Sequence, residues 1–262
     1  MKIQFFDTHV HLNDDLYFSE IDEVIKKAKA TGVTKFLCIG YEMEANRRAL
    51  ELADHYAEVY AAIGFHPSEA DSVHETELTW LKTQLSNPKV VALGEIGLDY
   101  YRGKETIAKQ KELFSRQIDL ANQYHLPLAI HMREATDDTY QLLKEKKDPS
   151  LPGVMHCYSG SVESARLFLS LNLKISLAGP VTFKNARIPK AVASEIDLAD
   201  LLIETDAPYL APTPYRGKPN QPEYLPLIAA EIASIKGVSV EEVAKTTWEN
   251  AHSVFQIHTI IY

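Results

Sequence analysis

Short apolar runs alternate with longer amphipathic stretches along the chain. The runs Ile3–His9, Lys35–Gly40, Val59–Phe65, Val90–Gly97, Pro127–Met132, Gly153–Tyr158, Lys174–Gly179 and Leu201–Asp206 are rich in Val, Ile and Phe and predict strands. Between them, segments near 20–31, 44–56, 74–86, 105–124, 135–146, 161–170 and 186–196 place Ala and Leu at three- and four-residue spacing and predict helices. Two further helices, near 222–236 and 240–254, finish the pattern. Eight strand–helix units of about 30 residues match an α/β fold, a (β/α)8 TIM barrel with an extra C-terminal helix. No Ser/Gly linker or low-complexity tract interrupts the rhythm, so one domain over residues 1–262 is expected. An open, doubly wound sheet is the competing layout. It normally has fewer strands and a glycine turn for phosphate, and neither GxGxxG nor a Walker lysine motif occurs here.

Polar residues cluster where this pattern puts strand ends. In the first run, Asp7, His9 and His11 share one face because side-chain direction alternates, and two imidazoles so spaced can converge on one divalent ion. The fourth run ends in Glu95, the fifth with His131, the sixth carries His156, and the eighth ends with Glu204 and Asp206. Imidazoles and carboxylates are costly in apolar runs unless paired or metal-bound. In a barrel the C-terminal strand ends open into one crater, which would gather His9, His11, Glu95, His131, His156 and Asp206; an open sheet would spread them along an edge. Taken singly, each histidine can equally be a core residue bonded to backbone. Six ligands exceed what one zinc prefers, and mixed His/carboxylate sets suit Zn, Mn, Mg or Fe, so two ions sharing a carboxylate and a water are expected. Spacing alone does not select the bridging group; Glu95, lying between the two sets around the barrel, is the natural candidate.

Such a centre equips a hydrolase that needs no nucleophilic side chain. No GxSxG elbow occurs, and Cys157, adjacent to His156 in a predicted strand, should point away from it into the core. The stretch from Pro208 to Pro222 holds five prolines, cannot be helix or central strand, and should cover the barrel rim. His66, in GFHP, reads as a substrate contact or a loop-structuring residue. Arg133 reads as a phosphate donor or as a partner for a rim acid such as Glu134. Asp99, Tyr100, Tyr101 and Arg102 follow the fourth run, and Arg216, Lys218 and Asn220 lie in the proline loop; rings interleaved with cations can stack bases and hold phosphates. Lys184 and Arg187 are the remaining rim cations.

At 262 residues, with 45% hydrophobic and 24% charged side chains, the chain has an ordinary globular composition and can bury a core without disulfide staples. Its net charge of −9 argues against sequence-independent wrapping of nucleic acid, though not against a small nucleic-acid substrate held by a few groups and a metal. The two cysteines, Cys38 and Cys157, are far apart and read as reduced thiols. No apolar run reaches 18 residues, and Asp7 interrupts the region where a signal peptide would be apolar. The expectation is a cytoplasmic protein without membrane association, monomeric by default, with no obligate protein partner.

The blocks FDTHVHLND, IGFHP, GEIGLDYY, IHMREA, MHCYSG, GPVTFKNA, ETDAPYL and PYRGKPNQP together resemble the TatD family of metal-dependent deoxyribonucleases, a branch of the amidohydrolase-like barrels. The likeness runs from Phe6 to the TTWENAHSVF segment, with the blocks in the family's order. It implies that His9 and His11 bind one metal and His131 and His156 the other. Glu95 would bridge them, and Asp206 would bind the first metal and handle the proton of the attacking water. Glu204 and Asp7 would support the ligands. The resemblance also implies phosphate or substrate contacts for His66, Arg133, Arg216 and Asn220, with Tyr100 beside them. Departures are mild: Phe65 stands where Trp is common, Tyr158 where Phe is frequent, and KPNQP where KRNEP is usual, which removes one basic side chain beside Asn220.

The implied reaction is hydrolysis of DNA phosphodiester bonds, from the 3′ end of a single strand, by water that two Mg, Mn or Zn ions activate. One alternative is a metal-dependent amidohydrolase or lactonase acting on a small ester or amide. Another is a non-catalytic barrel that keeps a metal for stability, although six ligands for two ions leave open positions that a closed structural site lacks.

Overall fold

The computed structural model describes residues 3–257, so residues 1–2 and 258–262 of the expected domain lie outside the described residues. The chain runs β1 (Phe5–Val10), α1 (Asp15–Phe18), α2 (Ile21–Ala30), β2 (Val33–Ile39), α3 (Met43–His55), β3 (Val59–Ile63), α4 (Glu75–Gln84) and β4 (Val90–Asp99). It continues through α5 (Ile107–Tyr124), β5 (Leu128–Arg133), α6 (Thr136–Lys146), β6 (Gly153–Met155), α7 (Val162–Leu169), β7 (Leu173–Leu177), α8 (Arg187–Glu195) and β8 (Leu201–Ile203), then α9 (Leu225–Lys236) and α10 (Val240–Val254). All eight strands are parallel and follow chain order in one sheet, a nearly closed TIM barrel. The open sheet is excluded. Among the described residues no helix is long and apolar enough to cross a membrane.

Side chains bring the two ends of the sheet together. Thr8 Oγ1 donates to the Ile203 carbonyl at 2.9 Å, Asp206 N–H to the His9 carbonyl at 2.9 Å, and Thr205 N–H to Asp7 Oδ1 at 2.9 Å. Asp7 is wholly buried, and burial pushes its carboxyl up to about 8 despite the Thr205 hydrogen bonds. Asp7 therefore joins β1 to the segment after β8.

Alternation along the strands divides the apolar side chains into two layers. Phe36, Cys38, Ala61 and Ile63 pack with the surrounding helices, while Leu37, Ile39, Ala62, Ala92, Ala129 and Leu202 join Phe6, the α10 residues Ala251 and Val254, and Phe255 just after them. Trp248 and His252 of α10, with Phe255 at its end, close around the Phe6 ring. The extra C-terminal helix thus shields the barrel near the start of β1.

Strand ends depart from the sequence pattern at the functional positions. β6 stops at Met155 and β8 at Ile203, because Cys157 and Asp206 adopt positive φ (41° and 55°) that no strand accommodates. β4 carries a bulge against β5: Leu93 pairs with Leu128 and Ile96 with Ile130, so two intervening residues on β4 face one on β5. Gly97 follows with φ +142°, where a Cβ would lie 1.9 Å from the His131 carbonyl oxygen; only glycine lets β4 and β5 approach there.

Buried amides hold the strand ends. Asn46 of α3 exchanges hydrogen bonds with the Gly64 backbone, and Gln117 of α5 does the same with Phe65. Backbone groups that have left the ladder need such partners. They fix the chain immediately before His66.

Candidate metal centre

Glu95 stands at the middle of the barrel mouth. Its Oε1 lies 2.9 Å from His131 Nδ1 and 3.4 Å from His156 Nε2, and its Oε2 lies 3.7 Å from His9 Nε2. Asp206 Oδ1 is 3.5 Å from His11 Nε2 and 3.8 Å from His9 Nε2. The His9 and His156 rings stack with centroids 3.6 Å apart. Three groups bring ligand atoms within 4.8 Å of one another: His9, His11 and Asp206; His9, Glu95 and His156; and His66, Asp99 and His131. All six residues expected as metal ligands therefore meet in one cluster. The third group adds His66 and Asp99, neither of which the sequence pattern marked as a ligand.

Hydrogen bonds decide what each imidazole can offer. His11 Nδ1 donates to the Ile39 carbonyl at 3.2 Å, and His156 Nδ1 to Glu204 Oε1 at 2.8 Å. An acceptor on one nitrogen leaves the lone pair on the other. For both residues that lone pair is on Nε2, facing a carboxylate oxygen of Asp206 or Glu95. Two acceptors face one another stably only with a cation or a proton between them. His9 is wholly buried and neither of its ring nitrogens has a hydrogen-bond partner, a costly arrangement that ligation relieves. Convergent nitrogen lone pairs, ionised carboxylates and an orphaned buried imidazole fit divalent cations of the Zn, Mn or Mg class.

Charge in the cluster follows the same logic. Burial alone would lift Glu95, but the charge of His156, the hydrogen bond from His131 and the nearby His9 ring hold it well below the usual carboxylate range. Burial would lower His156, yet Glu204, Glu95 and Asp206 push it up to about 10. Protons occupy the positions that cations would take, so metal binding and protonation compete for the same lone pairs.

A family model described as TatD related DNase matches residues 6–256. The chain belongs to the TatD family. Over 253 residues it is 46% identical to YabD of Bacillus subtilis (strain 168), an uncharacterized metal-dependent hydrolase, covering 97% of this chain and 99% of that protein. The crystal structure of YjjV, a TatD homologue from Escherichia coli K12, superposes with a TM-score of 0.93 at 32% identity, covering 98% and 100% of the two chains. A TatD-family hydrolase from Entamoeba histolytica superposes with a TM-score of 0.88 at 26% identity, covering 97% and 98%. The chain is a metal-dependent hydrolase of this family.

In this TatD protein the cluster opens into a cavity of about 650 Å³. One wall carries His66, Ser68, Arg102 and Arg133; the other is apolar, with Leu177, Ala178, Pro180, Val181 and Leu210. The Arg133 guanidinium carbon lies 3.8 Å from the centroid of the Tyr101 ring, a cation–ring contact that supports the side chain on the cavity wall. Ser68 N–H donates to His66 Nδ1 at 3.1 Å, so the proton of the neutral ring is on Nε2. Burial lowers His66 to about 4, which keeps it neutral.

Four sequence expectations change. Asn220 is fully buried and its Nδ2 donates to the carbonyls of Thr205 and Tyr209, each at 2.7 Å, so it organises the proline loop and is out of reach of substrate. Tyr100 bonds Asp138 Oδ2 at 2.6 Å and does not line the cavity. Arg216 is exposed over the Phe183 ring at 4.4 Å, also outside the cavity lining. Cys157 is not in the core: its positive φ turns it onto the cavity wall, where burial and nearby carboxylates push the thiol up and keep it un-ionised. Arg102 on the cavity wall and Asp99 beside His131 are the residues that sequence reasoning underrated.

Proposed function

We propose that this protein hydrolyses phosphodiester bonds in DNA, removing nucleotides from the 3′ end of single strands. In this reading His9, His11, Glu95, His131, His156 and Asp206 hold two divalent cations (Mg, Mn or Zn). The observation that carries it is one cavity shared by that cluster and by three donors, His66, Arg102 and Arg133. An amide or lactone substrate has no use for so many anion-binding groups. The family description as TatD related DNase agrees with this choice of substrate.

When bound, the cations supply a water nucleophile at neutral pH and offset charge on the phosphate oxygens. The residues do the rest. Arg133, and Arg102 beside it, orient the phosphate through guanidinium N–H groups. His66 donates from Nε2 to a phosphate oxygen. Asp206 takes the proton of the attacking water, with His11 and His9 keeping its carboxyl below the usual range against the effect of burial. Glu204 sets the ring of His156. The net charge of −9 fits a grip on one or two terminal nucleotides rather than on a long duplex. The setting proposed is a cytoplasmic monomer.

The test is digestion of end-labelled single-stranded DNA with Mg²⁺, Mn²⁺ or Zn²⁺, using the normal protein and Glu95→Gln. Mononucleotide release by the former and none by the latter is the expected result. Metal-dependent cleavage of a lactone or amide with DNA left intact would overturn the substrate assignment.

A further inference from the structure

We propose that Asp99 is a positioning residue that fixes the ring tautomer of His131; the proposal rests on the metal-centre reading above. Asp99 is 3% exposed and held from every side. Its N–H donates to Gln110 Oε1 at 2.9 Å, and Gln110 Nε2 donates back to its carbonyl at 3.1 Å. Its Oδ1 accepts the N–H groups of Tyr101 and Arg102 at 2.9 and 2.8 Å. Only Oδ2 is left, and it lies 3.2 Å from His131 Nε2. A carboxylate accepts and does not donate, so this contact puts a proton on Nε2. Nδ1, on the inner side, donates to Glu95 Oε1 at 2.9 Å while no cation is bound; with Nε2–H held by Asp99, Nδ1 is the nitrogen that gives up its proton to a cation. Asp99 does for His131 what Glu204 does for His156 and the Ile39 carbonyl for His11: the outer nitrogen donates and the inner one faces the cluster. Such partners orient metal-binding imidazoles and raise their basicity.

The same residues could be taken for the cradle of another cation, because His66, Asp99 and His131 approach within 4.8 Å. Ser68 N–H rules that out by occupying the lone pair of His66 Nδ1 at 3.1 Å. The His66 nitrogen nearest Glu95, Nε2 at 3.9 Å, then carries the ring proton and cannot ligate.

Substitution by asparagine separates tautomer control from packing. In Asp99→Asn the side-chain oxygen stays on the two backbone donors and the amide turns N–H toward His131 Nε2. The ring proton then moves to Nδ1, into the cluster. Asp99→Ala lets water act as the acceptor. Titration of metal-free protein with Mn²⁺ is expected to show Asp99→Asn weaker by about 10–100-fold, at least as impaired as Asp99→Ala, with unchanged stoichiometry. Wild-type-like affinity in Asp99→Asn, or a milder loss than in Asp99→Ala, would overturn tautomer control in favour of packing. Loss of one whole equivalent with the rest unaffected would overturn it in favour of a cation on Asp99. If the normal protein takes up no Mn²⁺, the metal-centre reading fails and this proposal with it. A second measurement needs no variant at Asp99: in ¹⁵N-histidine spectra of Zn²⁺-loaded protein, assigned with His131→Gln, the His131 proton should be on Nε2, and a proton on Nδ1 would contradict the proposal.

Discussion

Glu204 Oε1 accepts two hydrogen bonds at once, from His156 Nδ1 at 2.8 Å and from the Cys157 N–H at 2.7 Å, on a residue with no solvent exposure. The first bond fixes the ring; the second fixes the backbone turn that ends β6. Glu204→Gln can keep both bonds on its amide oxygen but loses the negative charge that raises the basicity of His156. Metal-supported activity should fall by about 10–100-fold, the usual cost of losing an outer partner of a ligand. Bound metal by mass spectrometry and activity on the same samples check this; full activity with Gln at this position would show the contact to be incidental.

Glu95 should matter more. Among the described residues it alone faces His9, His131 and His156 together, at 3.7, 2.9 and 3.4 Å. Glu95→Gln removes one acceptor oxygen and leaves imidazole lone pairs confronting an amide. Loss of activity should exceed about 100-fold, the upper end for an outer partner. Metal content after dialysis should drop below that of Glu204→Gln. Equal metal content in the two variants would argue that Glu95 does not ligate.

The candidate ligands were legible in the sequence because each is a polar residue breaking an apolar run. His9, His131, His156, Glu95 and Asp206 all carry that signature, and the barrel topology then brings them together. What was illegible depends on burial that no local pattern reveals. Asn220 reads as a polar loop residue, yet the proline loop folds it inward onto Thr205 and Tyr209. Cys157 reads as a strand residue until the strand stops two positions earlier. Asp99 reads as the start of a loop, while β4 runs on to include it; the signal available was Gln110, 11 residues later in a helix, and only the fold makes it a partner.

Asn220 and Arg133 should therefore fail differently. Asn220→Ala strands the buried Thr205 carbonyl and loosens the loop over the barrel mouth. It should lower stability by about 1–3 kcal/mol, the cost of a buried polar group left unmatched. Arg133 is half-buried on the cavity wall against Tyr101. Arg133→Ala should leave the unfolding midpoint unchanged and raise KM for DNA ends. Thermal unfolding and steady-state kinetics on both variants decide; a stable Asn220→Ala protein with raised KM would return that residue to substrate contact.

At the far end of the barrel, α10 sets up a dependence on pH that is independent of the metal cluster. His252 Nδ1 donates to the Trp248 carbonyl at 2.8 Å, so its Nε2 accepts from Lys35 Nζ, also at 2.8 Å. Burial, and then the Lys35 charge, lower His252 from its ordinary 6.5, against the effect of the Trp248 bond. With the folded value below the unfolded one, the unfolded chain binds protons first as pH falls. This residue's contribution is present above pH 6.5 and is lost as pH drops below it, because protonation puts two cations in contact. His252→Gln keeps an acceptor for Lys35 without a titrating group. Its unfolding midpoint should decline less than that of the normal protein between pH 7.5 and 5, a window of about one unit or more on either side of an ordinary histidine. Other histidines contribute equally to both curves, so the difference isolates this one. Parallel curves would mean that Lys35 and His252 do not meet in solution as they do at the barrel floor.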